Sequence, residues 1–335
     1  MLEPRPEQVR WSLSCDFPGS ERPAADAGLT RRGFLGGAAA GAALTAMCAS
    51  PAAAGEKNPD KKADLHWLSI TAERLPRIIE DVRGVCVVPW GCLERHGPHL
   101  PVGTDTIIAG AVAARAAQIE PAVVFPPLFY GQIAEVRHYA GTISLDHDLL
   151  LRLMRATLDE IGRNGLTKIV IANFHGGNSA LVDYLLISLL QERRPYVVYA
   201  ARLGLSEEDR AKWQRMAPSP GGHAGDLETS CILHLRPETV HLEDLKDAAD
   251  GRPRGALGHL GGIKNSFWWY ADYPTQLAGD ARPATAEKGK FYVEACAKDL
   301  ARQIQKIKAD DASPRLAKEF YDAVDRVAPP KRRGP

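Results

Sequence analysis

The 335-residue chain sets 42 Lys and Arg against 41 Asp and Glu, a formal net charge of +1, with 45% apolar and 25% charged residues. These fractions are those of an ordinary globular protein, and the even charge argues against a nucleic-acid binder, which would normally show a basic stripe. Beyond an N-terminal leader about 280 residues remain, enough for one large domain or two small ones.

The leader comes first in the chain. Thr30-Arg31-Arg32-Gly33-Phe34-Leu35 precedes a small-residue apolar stretch from Gly36 to about Ala49, and Ala52-Ala53-Ala54 supplies an A-x-A pattern. A charged segment, a short apolar core and small residues at the exit form a secretory signal, and paired arginines mark the twin-arginine route. The apolar run falls short of the roughly 20 residues of a membrane span; the alternative is a retained N-terminal anchor. The expected organisation is a signal peptide over 1–54, read by the twin-arginine translocation machinery, a linker over 55–66, a domain over 67–312 and a tail over 313–335. The expected location is the periplasm.

Apolar runs and helical patterns then alternate. Val85 to Trp90 reads as a buried strand, Asp105 to Gln118 as a helix, Ala122 to Phe125 as a second strand and Asp146 to Arg163 as a helix with apolar residues at helical spacing. Lys168 to Ala172 is a third strand, Ser179 to Gln191 a helix, and Tyr196 to Tyr199 a fourth strand. Continuous apolar strands separated by helices predict a mostly parallel sheet covered on both faces, a three-layer α/β/α sandwich. Lys246 to Arg282 is rich in Gly and Pro, carries Phe267-Trp268-Trp269-Tyr270, and has the length of a lid or an interface loop. Ala284 to Ile307 predicts a closing helix, and Pro329 to Pro335 a disordered end. Of the six cysteines, Cys15 and Cys48 lie in the leader; Cys86, Cys92, Cys231 and Cys296 contain no C-x-x-C pair, so a thiolate zinc site is not expected.

Three clusters carry chemistry. Glu94-Arg95-His96-Gly97-Pro98-His99-Leu100-Pro101-Val102-Gly103-Thr104-Asp105 follows the strand ending at Trp90. It mixes hard oxygen and borderline nitrogen donors on a backbone stiffened by Gly and Pro, as a divalent ion requires; the alternative is a polar loop whose Glu, His and Asp make hydrogen bonds and a helix cap. Asn173-Phe174-His175-Gly176-Gly177-Asn178 follows the strand ending at Ala172. Ligands bind beyond the carboxyl ends of strands in doubly wound sheets, so both clusters are expected at one edge of the sheet. The third, His223-Ala224-Gly225-Asp226-Leu227-Glu228-Thr229-Ser230, opens a helix. The helix dipole alone accounts for Asp226; Glu228, five residues after His223, points to the same site.

Together these clusters resemble the creatininase family of amidohydrolases. Its members show Glu-x-His-Gly-x-His-Leu-Pro…Asp, Asn-x-His-Gly-Gly-Asn and His-Ala-Gly-x-x-Glu-Thr-Ser segments in that order, and a fourth feature, Gly-Thr-Ile-Ser-Leu, stands here at Gly141 to Leu145. The resemblance runs from about Trp67 to Leu235. It implies two divalent ions (Zn, Mn or Fe) sharing Asp105, with Glu94 on one ion and His96 and His175 on the other. Creatinine-hydrolysing members place a glutamate two residues after the matching histidine, where this chain has Gly177; Glu228 is the remaining carboxylate. His223 matches the proton-transferring histidine. The implied reaction is hydrolysis of a non-peptide C–N bond in a small cyclic or linear amide, by a protein that is often a homo-oligomer, in many members a hexamer. Hydrolysis of a lactone or keto-sugar ring, and non-catalytic metal binding in the periplasm, are the competing readings. The creatinine-hydrolysing members also carry tryptophan in the approach to that histidine, which reads Ala217-Pro218-Ser219-Pro220 here, and His138 stands either for a displaced site histidine or for a loop cap.

Overall fold

Apolar β-branched runs build the centre of the molecule. In the computed structural model, which describes residues 64–218, 222–247 and 251–327, four strands form the sheet: β1 (Val85–Trp90), β2 (Val123–Val124), β3 (Lys168–Asn173) and β4 (Val197–Ala200). All are parallel, in the order β2-β1-β3-β4. Every residue of β1 is buried, because helices cover both faces of a parallel sheet. The two-residue alternation survives inside that run. Val85 and Val87 enter one core with Val170 and Ala172, while Cys86, Val88 and Trp90 enter the other with Ile169 and Ile171.

The helices are α1 (Leu75–Asp81), α2 (Thr104–Ile119), α3 (His147–Arg163), α4 (Ser179–Ser188), α5 (Glu207–Met216), α6 (Asp226–Leu235), α7 (Trp268–Asp272), α8 (Ala286–Lys308) and α9 (Ala312–Val327). Buried residues of α2, α6 and α8 fill the first core, and those of α3 and α4 fill the second, with Ile78 and Ile79 of α1 packed against it. The three-layer α/β/α sandwich read from the sequence is what the chain forms. Helix α3 begins where Asp146 accepts hydrogen bonds from the backbone N–H groups of Asp148 and Leu149, which satisfies two amides that have no partner within the helix. No helix among the described residues is long and apolar enough to cross a membrane. The leader, residues 55–63 of the linker, Ser219 and Pro220 of the approach to His223, and Pro329 to Pro335 lie outside the described residues.

Two boundaries differ from expectation. The helix opening at Ser179 ends at Ser188, and Leu189–Gln191 tightens into a 3₁₀ turn. Most of the expected tail is helix α9. It is docked by the Tyr321 hydroxyl, which reaches the carbonyls of Leu189 and Glu192, and by Arg193, 2.9 Å from both Asp322 and Asp325. Those partners lie about 130 positions apart in the chain, so local pattern alone did not reveal them.

Helix α6, which carries the third cluster, is clamped to α8. The Lys288 ammonium donates to Asp226 at 2.7 Å, the Ser230 hydroxyl donates to the same carboxylate, and the Thr285 N–H donates to Ser230. Asp226 is thus a structural anchor. The two backbones approach so closely that a Cβ placed on Gly289 would lie 1.8 Å from the Ser230 carbonyl oxygen. Gly289→Ala therefore forces α8 away from α6, and we expect a loss of about 2–3 kcal/mol, the scale of overpacking. Chemical denaturation measures it, and an unchanged midpoint would contradict this packing.

Candidate metal centre

The carboxyl ends of β1 and β3 deliver the first two clusters to one place, as their order along the chain predicts. Glu94 and His96 follow β1, Asp105 sits in the first turn of α2, His175 follows β3, and His223 with Glu228 comes from the start of α6. Glu94, His96, Asp105 and His175 are almost wholly buried. Such a concentration of ionisable groups is costly without mutual pairing or a cation.

The histidines share one arrangement. In each, one ring nitrogen meets a backbone carbonyl: Nδ1 of His96 lies 3.2 Å from the Glu94 carbonyl, Nε2 of His175 lies 2.7 Å from that of Gln132, and Nε2 of His223 lies 2.9 Å from that of Arg95. A carbonyl only accepts, so each of these nitrogens carries the proton and donates it. The opposite nitrogen, a lone-pair donor in the neutral ring, faces carboxylates. Nε2 of His96 is 3.1 Å from Asp105 Oδ1 and 3.6 Å from Glu228 Oε2. Nδ1 of His175 is 3.0 Å from Glu94 Oε1 and 3.0 Å from Asp105 Oδ2. Nδ1 of His223 is 3.9 Å from Glu94 Oε1. A lone pair aimed at carboxylates needs a cation or a proton between them, and a backbone carbonyl behind the ring is how metal-binding histidines are oriented.

The electrostatics agree. Burial alone would push His96 down, but Asp105 and Glu228 outweigh it and raise its pKa to about 10. Burial opposes ionisation of Asp105, yet His96 and His175 hold its carboxyl far below the ordinary range. Burial also raises Glu228, against the pull of His96 and His223. Glu94 Oε1 lies at ion-pair distance from His175 but outside hydrogen-bond geometry, so it is a buried carboxylate oxygen with no hydrogen-bond partner. That orphaned oxygen is what a bound cation would satisfy, and the donor set fits a divalent ion.

The donors fall into overlapping groups. Cys92, Glu94, Asp105 and His175 form one; His96, Asp105 and Glu228 another; Glu94, His96 and His223 a third; within each, the ligand atoms lie within 4.8 Å of one another. His175 therefore joins Glu94, whereas the family resemblance had put His175 beside His96. Asp105 belongs to the first two groups, through one oxygen each.

Several residues are explained only here. A Cβ on Gly177 would stand 2.5 Å from both the Gln132 carbonyl oxygen and Nε2 of His175. No side chain fits at that position, so a glutamate is not merely missing there. Glu228 enters from the other side, held by a 2.6 Å hydrogen bond from the Ala224 N–H. Ala224 has a φ of 58°, a conformation that non-glycine residues rarely adopt and that marks functional sites. His99 is a tie between clusters: its Nε2 lies 2.8 Å from the Thr229 hydroxyl, which itself donates to the Ala224 carbonyl. Burial lowers the His99 pKa to about 4. His138 proves to be a loop fastener, 3.2 Å from the Pro274 carbonyl, with its ring tilted against Tyr139 and edge-on to Tyr270.

The Lys246 to Arg282 stretch reaches the centre. Trp269 presents its ring edge-on to His223 at 5.7 Å and donates from Nε1 to Gln276 at 2.7 Å, while the Gln276 carbonyl accepts from the Gly97 N–H. Sequence reading had noticed the aromatic run without a target for it. Cys92, which the lack of a C-x-x-C pair set aside as a ligand, lies with Glu94, Asp105 and His175; it stands two residues before Glu94, the spacing that puts side chains on one side of an extended chain. Beside the centre lies a cavity of about 380 Å³, with Asp105, His175 and Glu228 in its wall and Phe174, Leu203, Leu227 and Tyr292 supplying apolar surface.

The chain is similar to known proteins over most of its described length. The creatininase family model, described as creatinine amidohydrolase, matches residues 69–304. The chain is 34% identical over 236 residues to a mycofactocin precursor peptide peptidase of Mycobacterium ulcerans (strain Agy99), covering 64% of this chain and 84% of that one. It is 28% identical over 244 residues to a creatinine amidohydrolase of Pseudomonas putida, covering 66% and 88%. The solved structure "Creatininase Mn" superposes with a TM-score of 0.61 at 25% identity, over 73% of this chain and 98% of that one. With its carboxylate–histidine centre at the carboxyl edge of a parallel sheet, the chain belongs to the creatininase family of hydrolases.

Proposed function

We propose that this protein is a metal-dependent amidohydrolase that cleaves a non-peptide C–N bond of a small cyclic or linear amide, with two divalent ions sharing Asp105. The observation that carries the reading is the set of three histidines, each held by a backbone carbonyl and aimed at carboxylates arranged around the two oxygens of Asp105. Divalent ions supply Lewis acidity toward a substrate carbonyl and toward the attacking water.

The chain's own residues supply the rest. His223 stacks on His96 with ring centroids 4.1 Å apart and keeps Nδ1 turned toward Glu94, so it can take a proton at that atom and pass it to the departing nitrogen. Trp269, itself donating to Gln276, stands against that ring at 5.7 Å. A cavity of about 380 Å³ suits a small ligand, and its apolar surface from Phe174, Leu203, Leu227 and Tyr292 suits a substrate with a hydrocarbon portion.

A panel of cyclic and linear amides, lactones and short peptides, run with metal analysis, tests the reading. Turnover confined to lactones would overturn the choice of bond. Turnover confined to peptides would replace the non-peptide assignment with the chemistry named for the Mycobacterium relative. Full metal content without turnover on any substrate would support a metal-binding role instead.

Glu228 takes the ligand position that Gly177 does not fill. Glu228→Gln is expected to cut the metal content by about half, leaving the ion near Glu94 and His175 in place. Unchanged metal with reduced turnover would put Glu228 outside the ligand set.

Export through the twin-arginine machinery to the periplasm is proposed from Arg31-Arg32 and Ala52-Ala53-Ala54. Arg31→Lys with Arg32→Lys is expected to hold the precursor in the cytoplasm, and normal appearance of mature protein outside would refute it. A homo-oligomer is proposed as well, supported by exposed Tyr184 and Ile187 on α4, Leu190 in the 3₁₀ turn that follows it, and Leu316, Phe320 and Val324 on α9. Light scattering that gives a monomer mass would overturn that.

A further inference from the structure

We infer that Cys92 is itself a ligand of this centre, its thiolate joining Glu94, Asp105 and His175 around one ion, so that the two ion positions differ in softness. The inference deepens the proposed metal-dependent function and rests on it.

Four donor atoms carry the argument. Cys92 Sγ lies 3.3 Å from Asp105 Oδ2. Sγ, one oxygen each of Glu94 and Asp105, and a ring nitrogen of His175 all lie within 4.8 Å of one another, and all four residues are buried. Two further observations point inward. Glu94 Oε1 is buried without a hydrogen-bond partner. His175 has its Nε2 proton committed to the Gln132 carbonyl, which leaves Nδ1 aimed between the Glu94 and Asp105 carboxylates.

A buried cysteine usually serves as a small apolar side chain. That suffices for Cys86, Cys231 and Cys296, which lie in the two apolar cores. It does not suffice for Cys92, which belongs to neither of those clusters and stands among two carboxylates and an imidazole. The fit around it is close as well: a Cβ on Gly131 would fall 2.8 Å from the Cys92 Cβ, so the chain at 131 packs directly against Cys92.

The chemistry separates the two positions. One sulfur, one nitrogen and two carboxylate oxygens make a four-donor set of the kind zinc accepts. His96, Asp105 and Glu228 offer only nitrogen and oxygen. A thiolate favours zinc or cobalt over manganese, so the Cys92 side takes the softer ion and the Glu228 side tolerates a harder one. As the sulfur–metal bond forms, the S–H bond breaks and its proton passes to solvent. The absence of a C-x-x-C pair from the sequence is no obstacle, because a mixed set needs one cysteine only.

Cobalt(II) tests this without reference to activity. The full-length protein is stripped with a chelator and reloaded with Co(II), whose visible d–d bands report binding and whose near-ultraviolet charge-transfer band reports a sulfur ligand. The expected result is a charge-transfer band in the wild type that is lost in Cys92→Ser and kept in Cys86→Ser, Cys231→Ser and Cys296→Ser. The preference for zinc over manganese is expected to fall in Cys92→Ser by about tenfold or more, at least the loss that outer-shell changes produce. If Cys92→Ser does not fold, a band that survives in each of Cys15→Ser, Cys48→Ser, Cys86→Ser, Cys231→Ser and Cys296→Ser assigns the sulfur to Cys92 by elimination. Bound Co(II) with no charge-transfer band, or a band that survives Cys92→Ser, overturns the inference and leaves the metal-dependent reading standing. Absence of d–d bands at saturating Co(II) overturns both.

Discussion

Asp105→Ala is expected to release both ions and to abolish turnover. Its carboxylate divides its oxygens: Oδ1 lies 3.1 Å from His96 Nε2, while Oδ2 lies 3.0 Å from His175 Nδ1. The two donor groups that contain Asp105 therefore lose their shared member when this one side chain is cut. Aspartate at this point is also set by the fold, since α2 begins here and its first turn favours a negative charge. Elemental analysis of the purified variant measures the outcome, with circular dichroism to show that the sheet remains. Two equivalents of metal in Asp105→Ala would sink the shared-carboxylate arrangement. One retained equivalent would reduce Asp105 to a ligand of a single ion.

His223→Ala is expected to keep its metal and its substrate affinity while turnover falls by about 10²–10⁴-fold, the usual scale of general acid–base catalysis. His223 is less buried than His96 or His175, and its Nδ1 stands 3.9 Å from the nearest carboxylate oxygen of Glu94. The other histidines approach to 3.1 Å and 3.0 Å. That looser seat suits a group that must exchange protons with a substrate. A substrate whose leaving group needs no proton should suffer less than one with a poor amine leaving group. Metal loss in the variant, or equal damage to both substrates, would make His223 a ligand.

These two experiments also bear on how this chain differs from the creatinine-hydrolysing pattern. Position 177 has no room for a glutamate, because the Gln132 carbonyl and the His175 ring occupy the space a side chain would need. In the proposed assignment the carboxylate comes instead from α6, as Glu228, and the aromatic ring beside His223 is that of Trp269. Both changes move substrate-facing groups onto different segments, which is the physical ground for expecting a substrate other than creatinine.

Much of this was legible in the sequence because it depends on local chain chemistry. Continuous apolar runs with a hidden two-residue alternation specified buried parallel strands, and the position of each motif just past a strand placed Glu94, His96, Asp105 and His175 at one sheet edge. The docking of helix α9 could not be read locally, because Tyr321 and Arg193 fasten it through partners about 130 residues away, whereas its helical apolar spacing lies within its own residues. The division of donors into groups could not be read either, since it depends on which ring nitrogen a distant carbonyl claims: Gln132 for His175 and Arg95 for His223. The same holds for Cys92. Its sulfur has ligand character only because α2 and β3 bring Asp105 and His175 to it, and contacts across that separation belong to tertiary packing, not to any window of sequence.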